Sequence, residues 1–235
     1  MHALDDPIRS ALISRHSALA HVSGSAMRYP DDVAPFGSMP MNPTSDDWAD
    51  LAGLTTMDDP AAMFVPQDFI VPAGWVTRLS LGLSQLTDDG VDTTGPRGAD
   101  IVELGAAQVE AMLELTTLTR PGPFLRRTTV FGGYVGIREG GQLLAMAGRR
   151  LSMPGWVEVS AVCTHPAARG RGYAKRLTTE VVRDIRADGD RAFLHVAHGN
   201  PARSVYEAMG FVIRRDDLKV VDVARAENAP GPPSI

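Results

Sequence analysis

A mixed α/β (α+β) fold, one central sheet flanked by helices, is predicted for this chain by three observations. Between residues 131 and 164, apolar runs are separated by the turns Glu139-Gly140-Gly141-Gln142 and Met153-Pro154-Gly155, the pattern of antiparallel strands. Residues 173–187 place Leu177, Val181 and Ile185 on one stripe and stop at Gly189, the pattern of an amphipathic helix. The order beyond residue 100 reads helix, strands, helix, strand, helix, strands, which packs as helices against a sheet. With 235 residues, 44% of them hydrophobic and 22% charged, the chain is long enough for a sizeable core and ordinary for a soluble globular protein.

The elements follow in order. Asp6-Pro7 ahead of Ile8, Leu12, Ile13 and Leu19 predicts a short helix with Pro in its first turn. A stretch dense in Pro, Gly, Asp and Met runs from Pro30 to Pro72, with short strands expected at Ala62–Val65 and Phe69–Val71. Residues 1–95 hold no catalytic constellation and no repeat. The segment Asp88–Gly98 is the expected boundary, giving an N-terminal region 1–95, a domain 96–226 and a disordered tail 227–235 carrying Ala229-Pro-Gly-Pro-Pro.

Asp100 followed by Glu103 has capping-box spacing and predicts a helix to about Leu118, stopped by Pro121-Gly122-Pro123. Strands are expected at Phe131–Ile137, Leu143–Arg150 and Trp156–Thr164. His165-Pro166 and a glycine turn then lead into the helix Tyr173–Ala187. A strand at Ala192–Ala197 and a short helix from Pro201 to Met209 follow. The last element is a hairpin of Phe211–Ile213 and Lys219–Val223 around Arg-Arg-Asp-Asp.

Charge and cysteine narrow the function classes. The net charge of −5 divides unevenly: residues 1–95 carry 13 Asp/Glu against 4 Arg, and residues 96–235 carry 15 Asp/Glu against 19 Lys/Arg. An anionic ligand belongs in the basic half, and the acidic half argues against nucleic acid. The single Cys163 excludes an internal disulfide framework, and no apolar run approaches bilayer length. A start without basic and apolar signal regions leads us to expect a cytoplasmic protein.

The turn Arg169-Gly170-Arg171-Gly172-Tyr173-Ala174 is where the chemistry gathers. A strand ends at Thr164 and a helix opens at once, so its first free amides and its dipole point back into the turn. Glycine at 170 and 172 permits close approach, and Arg169, Arg171, Lys175 and Arg176 add positive charge. The plain alternative is a tight turn with solvated arginines. The turn lacks the Gly-Lys-Ser/Thr ending of a Walker loop, and Lys175 stands where a dinucleotide fingerprint needs its third glycine.

Thr164-His165-Pro166-Ala167-Ala168-Arg169-Gly170-Arg171-Gly172-Tyr173-Ala174 resembles the acyl-CoA signature of the GNAT superfamily of N-acetyltransferases, with Arg169, Gly172 and Ala174 at its Gln/Arg-x-x-Gly-x-Gly/Ala positions. Ala202-Arg-Ser-Val-Tyr206-Glu-Ala-Met-Gly210-Phe211 resembles the family's Ala-x-x-x-Tyr-x-x-x-Gly-Phe helix. The resemblance covers about residues 100–224 and lies nearest the glycine N-acyltransferase-like branch, whose members often carry a degenerate second copy of the fold where residues 1–95 stand here. The family's Asn seven residues before the tyrosine is Gly199 in this chain, and Asn200 follows it. Asn200 either substitutes in contacting the pantetheine arm or caps the helix beginning at Pro201.

The resemblance implies acetyl-CoA as co-substrate, without a metal. It implies a pantetheine arm lying along the backbone of Val162, Cys163 and Thr164 where the third and fourth strands splay, and Tyr206 as proton donor to the departing thiolate. Glu158 takes the family's base position, on the side shared with Ser160, Val162 and Thr164 by two-residue alternation. The plainer readings are a packed tyrosine and a salt-bridged glutamate. Cys163 falls on the opposite side with Val159 and Ala161, as a structural thiol. His195 and His198 lack a third ligand for a metal, and His165 is a rim residue.

The activity so implied is transfer of an acetyl or short acyl group to a primary amine by direct attack in a ternary complex. The acceptor is a small-molecule or peptide amine, seated by Leu115–Arg127 and the N-terminal region. A non-catalytic acyl-CoA sensor is the alternative, and an acidic N-terminal interaction domain on a scaffold a third reading. Neither nucleic acid nor membrane is an expected partner, and monomer and homodimer are both left open.

Overall fold

The computed structural model describes residues 2–226, so the tail expected at 227–235 lies outside the described residues. Helix α1 (Pro7–Leu12) opens as expected, with Pro7 at its first position and Asp6 accepting from the Arg9 amide. A small sheet of β1 (His21–Ser23), β2 (Ala26–Arg28) and β3 (Gly37–Ser38) follows. Helix α2 (Ser45–Ala52) starts from a Thr44–Asp47 capping box. Strand β4 (Ala61–Pro66) is buried along most of its length. Phe69–Val71 is not the strand expected: Pro66 and Pro72 bracket it, and Phe69 packs 6.1 Å from the Trp48 ring instead.

Strand β5 (Trp75–Thr87), to which the sequence reading assigned no element, is 13 residues long. Strand β6 (Ile101–Leu104) replaces the first turn of the helix expected at Asp100, because Ile101 and Val102 pair with Ile137 and Gly136 in the sheet. Asp100 ion-pairs with Arg176 rather than capping. Helix α3 (Val109–Thr119) therefore starts later, and ends with Arg120 in the left-handed region.

The next elements lie close to their expected places, except that Thr128–Phe131 forms a 3-10 turn ending at Gly132 and Gly133, both at positive φ, so the strand expected from Phe131 begins at Tyr134. Strands β7 (Tyr134–Glu139) and β8 (Gln142–Met153) meet at a two-residue turn of Gly140 and Gly141, both at positive φ. Strand β9 (Trp156–Thr164) follows Pro154-Gly155, and helix α4 (Tyr173–Ala187) follows the glycine turn. Strand β10 (Arg191–Ala197) and helix α5 (Ala202–Ala208) come next. The final hairpin does not form. Val212–Arg225 is one long strand, β11, with its irregularities at Arg214–Asp217 absorbed as bulges because β5 pairs along its whole length.

The main sheet runs β4-β11-β5-β10-β9-β8-β7-β6. Strands β4 and β5 come from residues 1–95 yet flank β11, so the boundary expected at Asp88–Gly98 does not divide the sheet. Leu86 and Val91 share a core with Leu177, Val181 and Ile185 of α4. That core fills one face. On the other, α1 packs against Leu151, Met153 and Phe193, and α3 against Met146 and Cys163. Alternation along β10 separates the two: Ala192 and Leu194 face α4, Phe193 faces α1.

Candidate active site

Two strands part at the centre of the sheet. β9 and β10 pair in parallel only at Arg191↔Trp156, Ala192↔Val157 and Phe193↔Glu158. Beyond these positions neither strand bonds to the other, and β9 keeps a free backbone edge toward the gap through Val162, Cys163 and Thr164. Part of the cause is in β9 itself. Between Met146↔Cys163 and Gly148↔Ser160 it holds one residue more than β8, and Ala161 takes φ +54°. This bulge also flips the side-chain pattern. Val157, Val159 and Val162 pack toward α4, whereas Ala161 and Cys163 join Glu158 on the opposite face. Glu158 thus does not share a side with Val162 and Thr164, and Cys163 is not opposite it.

The gap ends at the glycine turn. Gly170 and Gly172 stand at φ +80° and +74°, and a Cβ on either would meet nothing within 4 Å. Among the described residues, the amides of Gly170 through Lys175 find no acceptor, and α4 has no side-chain N-cap. The site is thus a cradle of backbone donors with room for a pyrophosphate. The charge around it is partly committed. Arg171 bonds Glu139 at 3.1 and 3.3 Å, Tyr173 donates its hydroxyl to Glu139 at 2.5 Å, and Arg176 holds Asp100. Arg169 and Lys175 form no ion pair with a described residue. Near the end of β9 the buried Thr164 hydroxyl also has no partner among the described residues.

Helix α5 brings Tyr206 to the gap. Its ring packs edge-on at 5.8 Å against Phe211, its hydroxyl bonds no described residue, and it lies near the Cys163 thiol. Burial pushes the phenol up to about 12, so it stays protonated. Burial likewise pushes the Cys163 thiol up to about 11, which leaves it inert as a nucleophile. Asn200 accepts from the Ala202 amide at 2.9 Å, the contact the capping alternative expects.

Glu158 is fully buried, and its environment departs from that of a free base. Burial alone would raise its carboxyl, but the Arg150 guanidinium and the His195 ring reverse this and hold it at about 2. Arg150 donates through Nε and Nη2 at 2.7 and 2.6 Å, and His195 Nδ1 lies 2.7 Å away. A carboxylate held by three such partners, at about 2, is a weak acceptor for an ammonium proton. These three partners speak against the base role expected of it.

His198 and His165 are also explained by protein partners. His198 faces Asp216 at 3.2 Å, and His165 accepts from the Ala167 amide at the rim. Arg150 was missed in the sequence although the Pro154-Gly155 hairpin brings it beside Glu158. Gln85 was missed because β5 was: Leu79, Leu81 and Leu83 alternate with Ser80, Gly82 and Ser84 there. A large cavity among the described residues, about 1320 Å³ and lined by Trp48, Phe69 and Trp75, lies at the far end of β5, away from Gln85, Arg150, Glu158 and His195.

The comparisons with known proteins agree with this geometry. Residues 134–220 match the family model described as FR47-like protein. No curated protein matches the chain. Solved structures from Kribbella flavida, a GCN5-related N-acetyltransferase, and from Streptococcus suis, a GCN5-related N-acetyltransferase-like protein, share the fold at 15% identity. The first has a TM-score of 0.59 and covers 94% of this chain and 93% of its own; the second has 0.58, with 91% and 92%. A structure from Novosphingobium aromaticivorans, described as of the GNAT family of acetyltransferases, is 32% identical with a TM-score of 0.88, and covers 96% of this chain and all of its own. None of these matches points to the glycine N-acyltransferase-like branch. On the last of them, the chain belongs to the GNAT family of acetyltransferases.

Proposed function

We propose that the chain transfers an acetyl or short acyl group from acyl-CoA to a primary amine of a small molecule or peptide, by direct attack in a ternary complex. One observation carries this reading: the gap between β9 and β10 runs from a cradle of unpaired amides at Gly170–Lys175 to a protonated Tyr206 that bonds no described residue. The cradle and Arg169 take the pyrophosphate, and the free edge of Val162–Thr164 pairs with the pantetheine amides as an added strand would. The thioester carbonyl is thereby fixed for attack.

An amine is mostly protonated at neutral pH and must lose a proton to attack. Solvent takes that proton before attack and a second one from the nitrogen of the tetrahedral adduct, while the buried Arg150–Glu158 pair fixes the strands beside the gap. Tyr206 gives its proton to the departing thiolate and recovers one from solvent. The acceptor arrives from the face opposite α4, where residues 2–40 and the loop after α3 close over the sheet. Thiol release from acetyl-CoA, measured over a panel of small and peptide amines, tests the reading. Tight acetyl-CoA binding without thiol release from any amine would overturn it.

A further inference from the structure

One residue from each of the neighbouring strands β8, β9, β10, β5 and β11 joins a single hydrogen-bonded row across the sheet. Arg150 donates twice to Glu158, and His195 Nδ1 meets Glu158 at 2.7 Å. His195 Nε2 meets Gln85 Nε2 at 3.1 Å, and Arg214 donates to Gln85 Oε1 at 2.8 Å. Glu158 and Gln85 have no exposed surface, and the His195 side chain is 3% exposed. The row lies where β9 and β10 stop pairing: Glu158 is in the last backbone pair, and His195 is two residues beyond its partner Phe193.

The donors in this row can be assigned by elimination. A guanidinium only donates, so the Gln85 atom facing Arg214 is its oxygen. The Gln85 NH2 then faces the Leu4 carbonyl at 2.9 Å and His195 Nε2. Turning the amide over would set N–H against the guanidinium and oxygen against a carbonyl. Nε2 must therefore accept, which leaves the single ring proton on Nδ1, directed at Glu158. Protonating Nε2 would oppose two N–H donors in a buried site, an arrangement that buried polar groups avoid.

We propose that Gln85, carried in by the N-terminal strand β5, is a positioning residue for the acyl transfer: it holds His195 as the neutral Nδ1–H tautomer, so that the His195–Glu158 bond sets the separation of β9 and β10 at the mouth of the gap. Side-chain bonding takes over there from the backbone pairing that has just ended. Arg150 and Gln85 anchor the two sides, and the spacing available to the thioester follows. The proposal rests on the acyltransferase reading only for its kinetic consequence.

The test reads the ring directly. Proton–nitrogen correlation spectra of the full chain, labelled with heavy nitrogen in its histidines, distinguish a protonated from a bare ring nitrogen. His195 is assigned by the signals lost in His195→Asn or, if that chain does not fold, by its proximity to Phe64 and Phe193, whose rings lie 4.4 and 5.7 Å away. The expected result is a proton on Nδ1 and none on Nε2. In Gln85→Glu, a carboxylate facing Nε2 should place protons on both nitrogens.

In that variant kcat should fall about tenfold while KM for acetyl-CoA stays within about twofold, since the pyrophosphate cradle is untouched. Gln85→Met, similar in length but without donor or acceptor, should leave both tautomers populated. A proton on wild-type Nε2, or a Gln85→Glu ring unchanged from wild type, overturns the tautomer assignment. Wild-type kcat in Gln85→Glu, or a defect confined to KM, overturns the positioning role. A wild-type chain that shows the expected ring protons yet transfers to no amine would instead overturn the acyltransferase reading, and the positioning role with it.

Discussion

Arg150 grips Glu158 through two parallel hydrogen bonds of 2.6 and 2.7 Å, with its guanidinium lying 4.7 Å over the Phe36 ring. Glu158→Gln would leave that guanidinium buried without its counter-charge. About 3–5 kcal/mol of stability should be lost at neutral pH, a fall in Tm on the order of 10 °C. The sign with pH follows from a folded carboxyl held at about 2, below its ordinary value of 4.5. Wild type keeps this stabilisation above about pH 4.5 and loses it as pH falls toward 2. The Tm difference between wild type and variant should therefore narrow over that window. A difference constant from pH 7 to pH 3 would refute the pairing.

Gly172→Glu should abolish tight acetyl-CoA binding. Space exists for a side chain, since a Cβ at this position would meet nothing within 4 Å, but a carboxylate would sit among the free amides proposed to take the pyrophosphate. A loss of at least about 2 kcal/mol, roughly thirtyfold, is expected by calorimetry. Gly172→Ala, which bears only the strain of φ +74°, should lose about 1–2 kcal/mol of stability and retain most of the affinity. Normal binding in Gly172→Glu would put the phosphate site elsewhere.

Glu139 occupies both Arg171 and Tyr173 with its carboxylate, and should therefore compete with a phosphate at that site. Glu139→Gln should free them and raise acetyl-CoA affinity by about twofold to fivefold, an effect that shrinks in high salt because the pair is half exposed. Titrations at low and high salt check this. Weaker binding in Glu139→Gln would show that Glu139 orients the turn rather than competing for it.

Tyr206→Phe keeps the ring packed on Phe211 and removes a hydroxyl that no described residue uses. Melting temperature and acetyl-CoA affinity should therefore change little. Turnover should fall by about 10²-fold, the low end for one general acid, because a thiolate leaves tolerably without help. Single-turnover rates on the best amine measure it, and an undiminished rate would remove Tyr206 from the mechanism.

Much of the site was legible because its determinants are local. Gly140-Gly141 and Pro154-Gly155 specify two-residue turns by backbone chemistry alone, so β8, β9 and the hairpin that joins β7 to β8 appear near their expected places. The stripe Leu177, Val181, Ile185 fixes α4, and the glycines before it leave the amides of its first turn open. Tyr206 falls at the gap because the turn and helix that carry it are likewise short-range.

What the chain alone did not disclose depends on partners distant in sequence. Whether Asp100 caps a helix or meets Arg176 was decided by the pairing of Ile101 with Ile137. The insertion of β5 between β10 and β11 joins segments far apart in the chain, and it brings Gln85 to His195. The bulge at Ala161 has no composition signal, since alanine rarely takes φ +54°, yet it reverses which residues of β9 face Glu158. Local turn and helix chemistry is written into neighbouring residues. The protonation state of Glu158 is set by Arg150 and His195, and only the folded sheet brings them together in a buried site.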